Sequence, residues 1–262
     1  MKLAFIAWAT ITFACTNASA QKIITITTKT VQRDISIGFI RKDSVNLSLN
    51  NNFELIEDSC AQITRYGHLD LDQRKFKGKF KDVSHVNPQL MVTEGNYTAE
   101  GLKDGSFTSR YLNGNLQSKG NFKNNLFDGK WELYYDDAKP KVTFEANGDD
   151  INITNSWDAN GIKTVDNGNG IFRIDLVELY WKGPVVNGKP DGQWKAIKKD
   201  SNTTLLTETY KNGILQKGEK VNNSDLGRLR LALLEQLPYL RTEQLPVSFI
   251  LCDGTDYTKT QK

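Results

Sequence analysis

A glycine followed two residues later by an aromatic residue recurs along this 262-residue sequence and limits its possible folds more than any other feature. It occurs at Gly78/Phe80, Gly105/Phe107, Gly129/Trp131, Gly170/Phe172 and Gly192/Trp194. The glycines are 27, 24, 41 and 22 residues apart, and Asn147-Gly148 lies near the middle of the longest step. The period is therefore roughly 20–27 residues with one degenerate copy, which is typical of repeat proteins whose units pack on their neighbours.

The best copies share an Asp-Gly pair before the aromatic residue and a tyrosine after it. They comprise Asp104, Gly105, Phe107 and Tyr111; then Asp128, Gly129, Trp131 and Tyr135; then Asp191, Gly192 and Trp194, with Lys198 in place of the tyrosine. Eleven of the 20 glycines follow Asn or Asp, pairs that accept the positive φ of two-residue hairpin turns. Short alternating runs between them read as strands. The sequence therefore predicts a mainly β protein of tandem antiparallel hairpins in an elongated single-layer sheet.

The segments outside the repeats have other patterns. Residues 21–75 open with a β-branched run and predict an N-terminal β region or cap, followed by hairpin repeats over 76–220. Residues 221–262 predict a helix and a strand that form a C-terminal cap. The helix would begin at Ser224 or Asp225, and the strand would span Pro246–Cys252. The leucines of that helix either pack on the last hairpins or form a partner-binding face.

The N-terminus resembles an export signal. Residues 1–20 have a charged start, a short apolar core and an Ala-x-Ala end, so cleavage is expected between Ala20 and Gln21. The alternative is a lipid-anchored N-terminus at Cys15. No later run is long enough to predict a transmembrane helix. Two cysteines remain after cleavage, Cys60 and Cys252, and they form either one disulfide or two separate buried thiols.

Composition and motifs argue against several functional classes. The 34 basic and 31 acidic residues leave a net charge of only +3, without the clustered surplus that nucleic-acid binding requires. The sequence has no nucleophile elbow, phosphate-binding loop or zinc-protease motif. His68 and His85 lack the spacing of metal ligands, and the oxygen-rich run 166–170 lacks the spacing and closing Glu of a calcium loop. Asp70 and Asp72 point the same way on a predicted strand, and they are either exposed acidic positions, which are far commoner, or a paired-carboxylate site. We therefore predict no enzyme activity, no catalytic, cofactor-binding or metal-binding residue, and no cofactor.

The repeat units resemble the variant MORN repeat of bacterial YwqK-type proteins, which are often labelled antitoxins. The resemblance covers residues 78–218, and the chain departs from it at the degenerate unit near Gly148, at Lys198 and in its export signal. It implies a single-layer sheet of hairpins without catalytic residues. Together with the export signal, it predicts a scaffold or protein-binding surface of the bacterial envelope or exterior, which is periplasmic, outer-membrane-associated or secreted. The alternatives are a lipid- or glycan-surface binding module and an antitoxin-like protein.

Overall fold

A computed structural model describes residues 21–27, 32–39, 43–70, 72–220 and 249–256, with residues 229 and 231, and their side chains from residue 43 onward. The strands are β1 Gln21–Thr27, β2 Gln32–Phe39, β3 Ser44–Leu49, β4 Leu55–Ile56, β5 Ile63–Asp70, β6 Lys75–Ser84, β7 Met91–Tyr97, β8 Gly105–Arg110, β9 Leu116–Lys123, β10 Leu126–Tyr134, β11 Pro140–Asn147, β12 Asp150–Trp157, β13 Lys163–Asp166, β14 Asn169–Asp175, β15 Leu179–Val186, β16 Lys189–Pro190, β17 Gly192–Lys198, β18 Thr204–Lys211, β19 Ile214–Lys220 and β20 Phe249–Ile250. One 3₁₀ turn spans Asp58–Cys60.

The strands form one open sheet that follows the order of the chain. From β5 to β15 every strand pairs antiparallel with the next, and β17, β18 and β19 continue the series. At the N-terminal end, β1, β2, β3 and β5 pair in turn. This arrangement confirms the prediction of a mainly β protein built from many antiparallel strands. β6 begins at the predicted boundary between the N-terminal region and the repeats, and the sheet continues across it.

Alternate positions of the strands are buried, as expected when one face of a sheet is apolar. β11 alternates buried Val142, Phe144 and Ala146 with more exposed neighbours, and β15 does the same with Leu179, Trp181 and Val185. These buried side chains join one continuous cluster from Val45 to Tyr210. We call this the inner face. The other alternate positions, such as Lys130 and Glu132 of β10, define the outer face.

The hairpin turns at the two ends of the strands differ in type. At one end, two-residue turns have positive φ at both central residues, as type I′ turns require, in the pairs 124–125, 167–168, 187–188 and 212–213. Three of these pairs are Asn-Gly. At the other end, longer loops close with a positive-φ residue, for example Gly114 and Gly161. Polar side chains brace them; Asp158 Oδ1 accepts the backbone N–H groups of Asn160 and Ile162.

A buried ion pair lies at the N-terminal end of the core. Arg65 and Asp82 are 1% and 0% exposed, and Arg65 donates Nε and Nη2 to the two carboxylate oxygens at 2.8 Å. The guanidinium carbon also lies 4.6 Å from the ring centroid of Phe80. Removing one partner of such a pair is strongly destabilising because it leaves a buried charge unpaired.

The described residues include no α-helix, so the C-terminal helix predicted from Ser224 or Asp225 is not supported. Its positions lie outside the described residues except 229 and 231. Of the strand predicted over Pro246–Cys252, residues 249–252 are described, and Phe249–Ile250 form β20, which pairs parallel with β4. The predicted signal segment 1–20 also lies outside the described residues. Within the described part of the chain, no helix is long and apolar enough to cross a membrane.

Candidate binding groove

The aromatic residues of the repeat motif are buried in the inner face. Trp131 and Trp194 are 0% exposed, Phe107 is 1% exposed, and Phe80 and Phe172 are at most 5% exposed. Since an aromatic residue must be accessible to anchor a partner, these five positions serve packing in the folded chain. Residues that bind a partner or ligand must therefore lie elsewhere on the sheet.

Each of four motif aromatics covers a glycine of the preceding strand. A Cβ placed on Gly95 would lie 2.6 Å from the ring of Phe107, and one on Gly120 or Gly183 would come as close to Trp131 or Trp194. Gly67 has the same relation to Phe80, at 3.3 Å. Real Cβ atoms essentially never approach below 3.0 Å, so most of these positions exclude any side chain. The repeat therefore requires a second glycine, which the glycine-aromatic pattern alone did not predict.

That second glycine has a sequence signal of its own. Gly95-Asn-Tyr97 and Gly120-Asn-Phe122 also fit the glycine-x-aromatic pattern, but in the second strand of the hairpin. The register also places Gly95 opposite Phe80 and Gly120 opposite Phe107, so each of these glycines lies between two aromatic residues of the motif. Glycines and aromatic residues thus alternate from strand to strand along one row of the inner face.

The motif Asp-Gly pairs lie in β-bulges, not in the two-residue turns that the sequence suggested. Between the pairs Asn121–Asp128 and Lys119–Glu132, β9 advances two residues while β10 advances four. Gly129 occupies this bulge with a φ of +65°, and a Cβ added there would meet nothing within 4 Å. Gly78, Gly105 and Gly192 also have positive φ, at +68°, +80° and +103°. A bulge of this kind favours glycine because L side chains resist positive φ.

The bulge exposes a carbonyl that the motif tryptophan uses. Trp131 Nε1 donates to the Asn121 carbonyl at 2.9 Å, and Trp194 Nε1 donates to the Pro184 carbonyl at the same distance. Each acceptor directly follows the glycine under the ring. Burial of an indole N–H is costly unless it is paired, so this bond allows a tryptophan at 0% exposure.

The motif tyrosines and aspartates connect neighbouring repeats. Tyr111 donates its hydroxyl to the Tyr134 carbonyl at 2.9 Å, and Tyr135 donates to the Trp157 carbonyl at 2.9 Å. Asp191 accepts the backbone N–H of Asn212 at 3.0 Å, and this hydrogen bond, with Lys211, holds the pKa of Asp191 below its usual value. Asp104 is half-buried and Asp128 is exposed, each directly before its bulge glycine. Most residues of the motif therefore have a structural role in the fold.

A disulfide joins the 3₁₀ turn Asp58–Cys60 to the segment after β20. Cys60 and Cys252 are bonded through their sulfurs, with their Cα atoms 5.7 Å apart, and the Cys252 N–H donates to Glu57 Oε2 at 2.8 Å. Glu57 and the two sulfurs form the one cluster of three potential metal ligands among the described residues. Sulfurs joined in a disulfide are not the thiolates that a metal would need.

The two histidines do not meet. His68 Nδ1 lies 3.3 Å from Ser44 Oγ, while His85 Nδ1 lies 2.8 Å from Thr64 Oγ1. Asp70 Oδ1 accepts the N–H groups of Asp72 and Gln73, so this carboxylate braces a turn. Each of these groups has a local structural role.

One concavity lies where the repeat is degenerate. Strand β13 has four residues, and β14 pairs with it only through Gly170 and Asn169. Beyond Gly170 the rest of β14 pairs with β15 alone, so the sheet splits between β13 and β14. A groove of about 610 Å³ occupies this split, and we call it the split groove. That volume is typical of small-molecule sites.

Aromatic, hydroxyl and charged side chains line the split groove. Among them are Tyr135, Ser156, Trp157, Thr164, Arg173, Asp175 and Lys182. Arg173 donates two hydrogen bonds to Asp175, at 2.7 and 2.8 Å, and its guanidinium carbon lies 3.8 Å from the Tyr180 ring centroid. Burial opposes ionisation of Asp175, but Arg173 and then Lys199 hold its pKa below the usual value. The groove therefore contains an ion pair beside two half-buried aromatic rings, with Lys141 Nζ 4.8 Å from the ring centroid of Tyr135 and Lys163 Nζ 5.5 Å from that of Trp157.

A scan against protein-family models found no match for this chain, and a search of curated proteins found no significantly similar sequence.

Proposed function

We propose that this chain is an exported, non-enzymatic repeat protein of the variant MORN type. It acts as a scaffold or protein-binding surface in the bacterial envelope or outside the cell. The observation that supports the proposal is the difference between the two sheet faces. The aromatic residues of the motif are buried in the inner face, while the outer face presents polar side chains on successive strands.

The outer face carries a row of polar residues that runs across seven strands. The register places these residues side by side: Tyr66, Lys81, Glu94, Thr108, Lys119, Glu132 and Thr143. Lys119 Nζ lies 2.8 Å from Glu132 Oε2, and Lys81 Nζ lies 5.4 Å from the Tyr66 ring centroid. Such a broad surface of mixed charge is suited to a folded partner, because protein interfaces combine aromatic anchors with a polar rim.

The first experiment uses the purified, tagged chain as bait in a native extract of envelope and culture fluid. Proteins that survive a moderate-salt wash are identified by mass spectrometry, and the strongest is purified and titrated against the chain. We expect one stoichiometric partner. Glu94→Lys, on the outer row, should weaken that complex about tenfold, since reversing a contacting charge costs about a kcal/mol or more. Glu178→Lys, exposed in a loop, is the matched control.

Loss of affinity in both variants or in neither would contradict the assignment of the partner to the outer row. Absence of any protein partner would favour the alternatives. Flotation with liposomes tests lipid binding, and titration with glycans tests carbohydrate binding. Neutralisation of a co-expressed toxin would favour an antitoxin-like role, which an exported chain is poorly placed to perform in the cytosol.

A further inference from the structure

Three cationic side chains lie directly opposite one another beside the split groove. The register pairs Arg173 of β14 with Lys182 of β15, and Lys182 with Lys195 of β17. Side chains in such positions have Cβ atoms about 4.5–5.5 Å apart, and like charges placed there destabilise a sheet. An arrangement that costs folding stability points to a use outside folding.

Two of the three charges have no counter-charge among the described residues. Arg173 is paired with Asp175, which also receives Lys199 Nζ at 3.4 Å. Lys182 and Lys195 are exposed, and no carboxylate of the described residues lies within 4.0 Å of their ammonium groups. The two lysines therefore present an uncompensated positive edge, and Lys182 also lines the groove.

The groove also contains groups that are not required to bind an anion. Trp157 and Tyr135 present aromatic rings, and Ser156 Oγ and Thr164 Oγ1 form a hydroxyl pair 2.6 Å apart. The carboxylates of Asp158 and Asp175 also belong to the lining. These carboxylates oppose any anionic ligand, but the hydroxyl groups of a sugar can offset that cost by donating hydrogen bonds to them.

We propose that the split groove binds an acidic oligosaccharide. Its carboxylates contact Lys182 and Lys195, its ring lies against Trp157, and its hydroxyls donate to the carboxylates of the lining. A neutral glycan makes no use of the lysine pair, and an acidic peptide without side-chain hydroxyl groups offers fewer hydrogen-bond donors to the two aspartates. The outer row ends at Thr143 of β11, which also supplies Val142 to the groove lining, but no residue of the outer row lines the groove, so the two sites can be tested separately.

Tryptophan fluorescence can report binding at this site. Trp131, Trp181 and Trp194 are at most 4% exposed, while Trp157 is partly exposed in the groove. The full chain is titrated with galacturonic-acid oligomers, with the same oligomers after methyl esterification, and with a polyglutamate peptide. Esterification removes the carboxylate charge and keeps the sugar backbone. Calorimetry on the same samples gives the affinity.

The test variant is Lys182→Gln/Lys195→Gln, and the matched control is Lys79→Gln/Lys123→Gln, which removes two exposed lysines on other strands. We expect the acidic oligomer to bind, with a change in fluorescence that is absent in Trp157→Phe. The test variant should bind about tenfold more weakly, and the control should match the parent chain. Both double variants are checked for unchanged thermal unfolding.

Several results would overturn the proposal: no binding of the acidic oligomer, equal binding of the esterified oligomer, or equal affinity of the test variant. Tighter binding of polyglutamate than of the oligomer would assign the lysine pair to an acidic protein segment instead. A partner captured by the outer row would leave each of these results unaffected.

Discussion

The glycine beneath a motif tryptophan offers the sharpest test of how the inner face is packed. Gly120→Ala adds one methyl group, which in a β-strand normally stabilises slightly because it reduces the entropy of the unfolded chain. At this position the new Cβ would overlap the Trp131 ring, so the ring must leave its site. We therefore expect a large loss of stability from the smallest possible substitution.

The magnitude follows from the contacts that Trp131 would lose. Its ring packs against Phe122, Phe127 and Phe144, with centroids 4.9, 5.0 and 6.2 Å away. Three aromatic pairs at about 0.5–1.5 kcal/mol each, plus about 1 kcal/mol for the Nε1 hydrogen bond, give a cost of roughly 2.5–5.5 kcal/mol. For a chain of this size the melting temperature should fall by about 5–22 °C.

A double-mutant cycle measures this effect directly, from the urea unfolding of the parent chain, Gly120→Ala, Trp131→Ala and the double variant. In the Trp131→Ala background the clash is gone, so Gly120→Ala should cost nothing or stabilise slightly. Gly105→Ala is the control for backbone strain alone, since its φ is +80° and its Cβ position is open, and it should cost about 1–2 kcal/mol. Equal costs of Gly120→Ala in both backgrounds would refute the proposed contact.

Three further predictions concern other parts of the sheet. Tyr135→Phe removes the hydroxyl bond to the next repeat and should cost about 1 kcal/mol by chemical denaturation, with an unchanged value arguing against the tie. Cys252→Ser opens a link between residues 192 apart and should lower the unfolding free energy by up to about 5 kcal/mol, and reductant should then affect only the parent chain. Hydrogen bonds from Lys119 and then Lys130 lower the pKa of Glu132 from 4.5 to about 2. The contribution of ionised Glu132 to the stability of the fold is therefore complete above pH 4.5 and is lost as the pH falls towards 2. Over that pH range the melting temperature of Glu132→Gln should fall less than that of the parent chain.

The turns show how far local sequence can predict this fold. Positive φ is found in the pairs Asn167-Gly168, Asn187-Gly188 and Asn212-Gly213, because both residue types accept this backbone conformation. The alternating runs between the turns form strands. The Asp-Gly pairs have the same local preference for positive φ. They lie in bulges because the neighbouring strand continues past them, and its position is not encoded in the pair itself.

The candidate site could not be predicted from local sequence patterns. Trp157, Arg173 and Lys182 belong to three strands, and only the early divergence of β13 from β14 opens a groove among them. The covered glycines likewise depend on which residue the register places opposite an aromatic ring.

Local sequence is enough to predict the strand-and-turn pattern of the repeats, because φ preferences and alternating hydrophobicity act over a few residues. Three features follow from the three-dimensional packing instead: which tryptophans are buried, where the sheet splits, and that Cys60 reaches Cys252. Each of these depends on cross-strand register, which is set by the packing of side chains that are far apart in the chain.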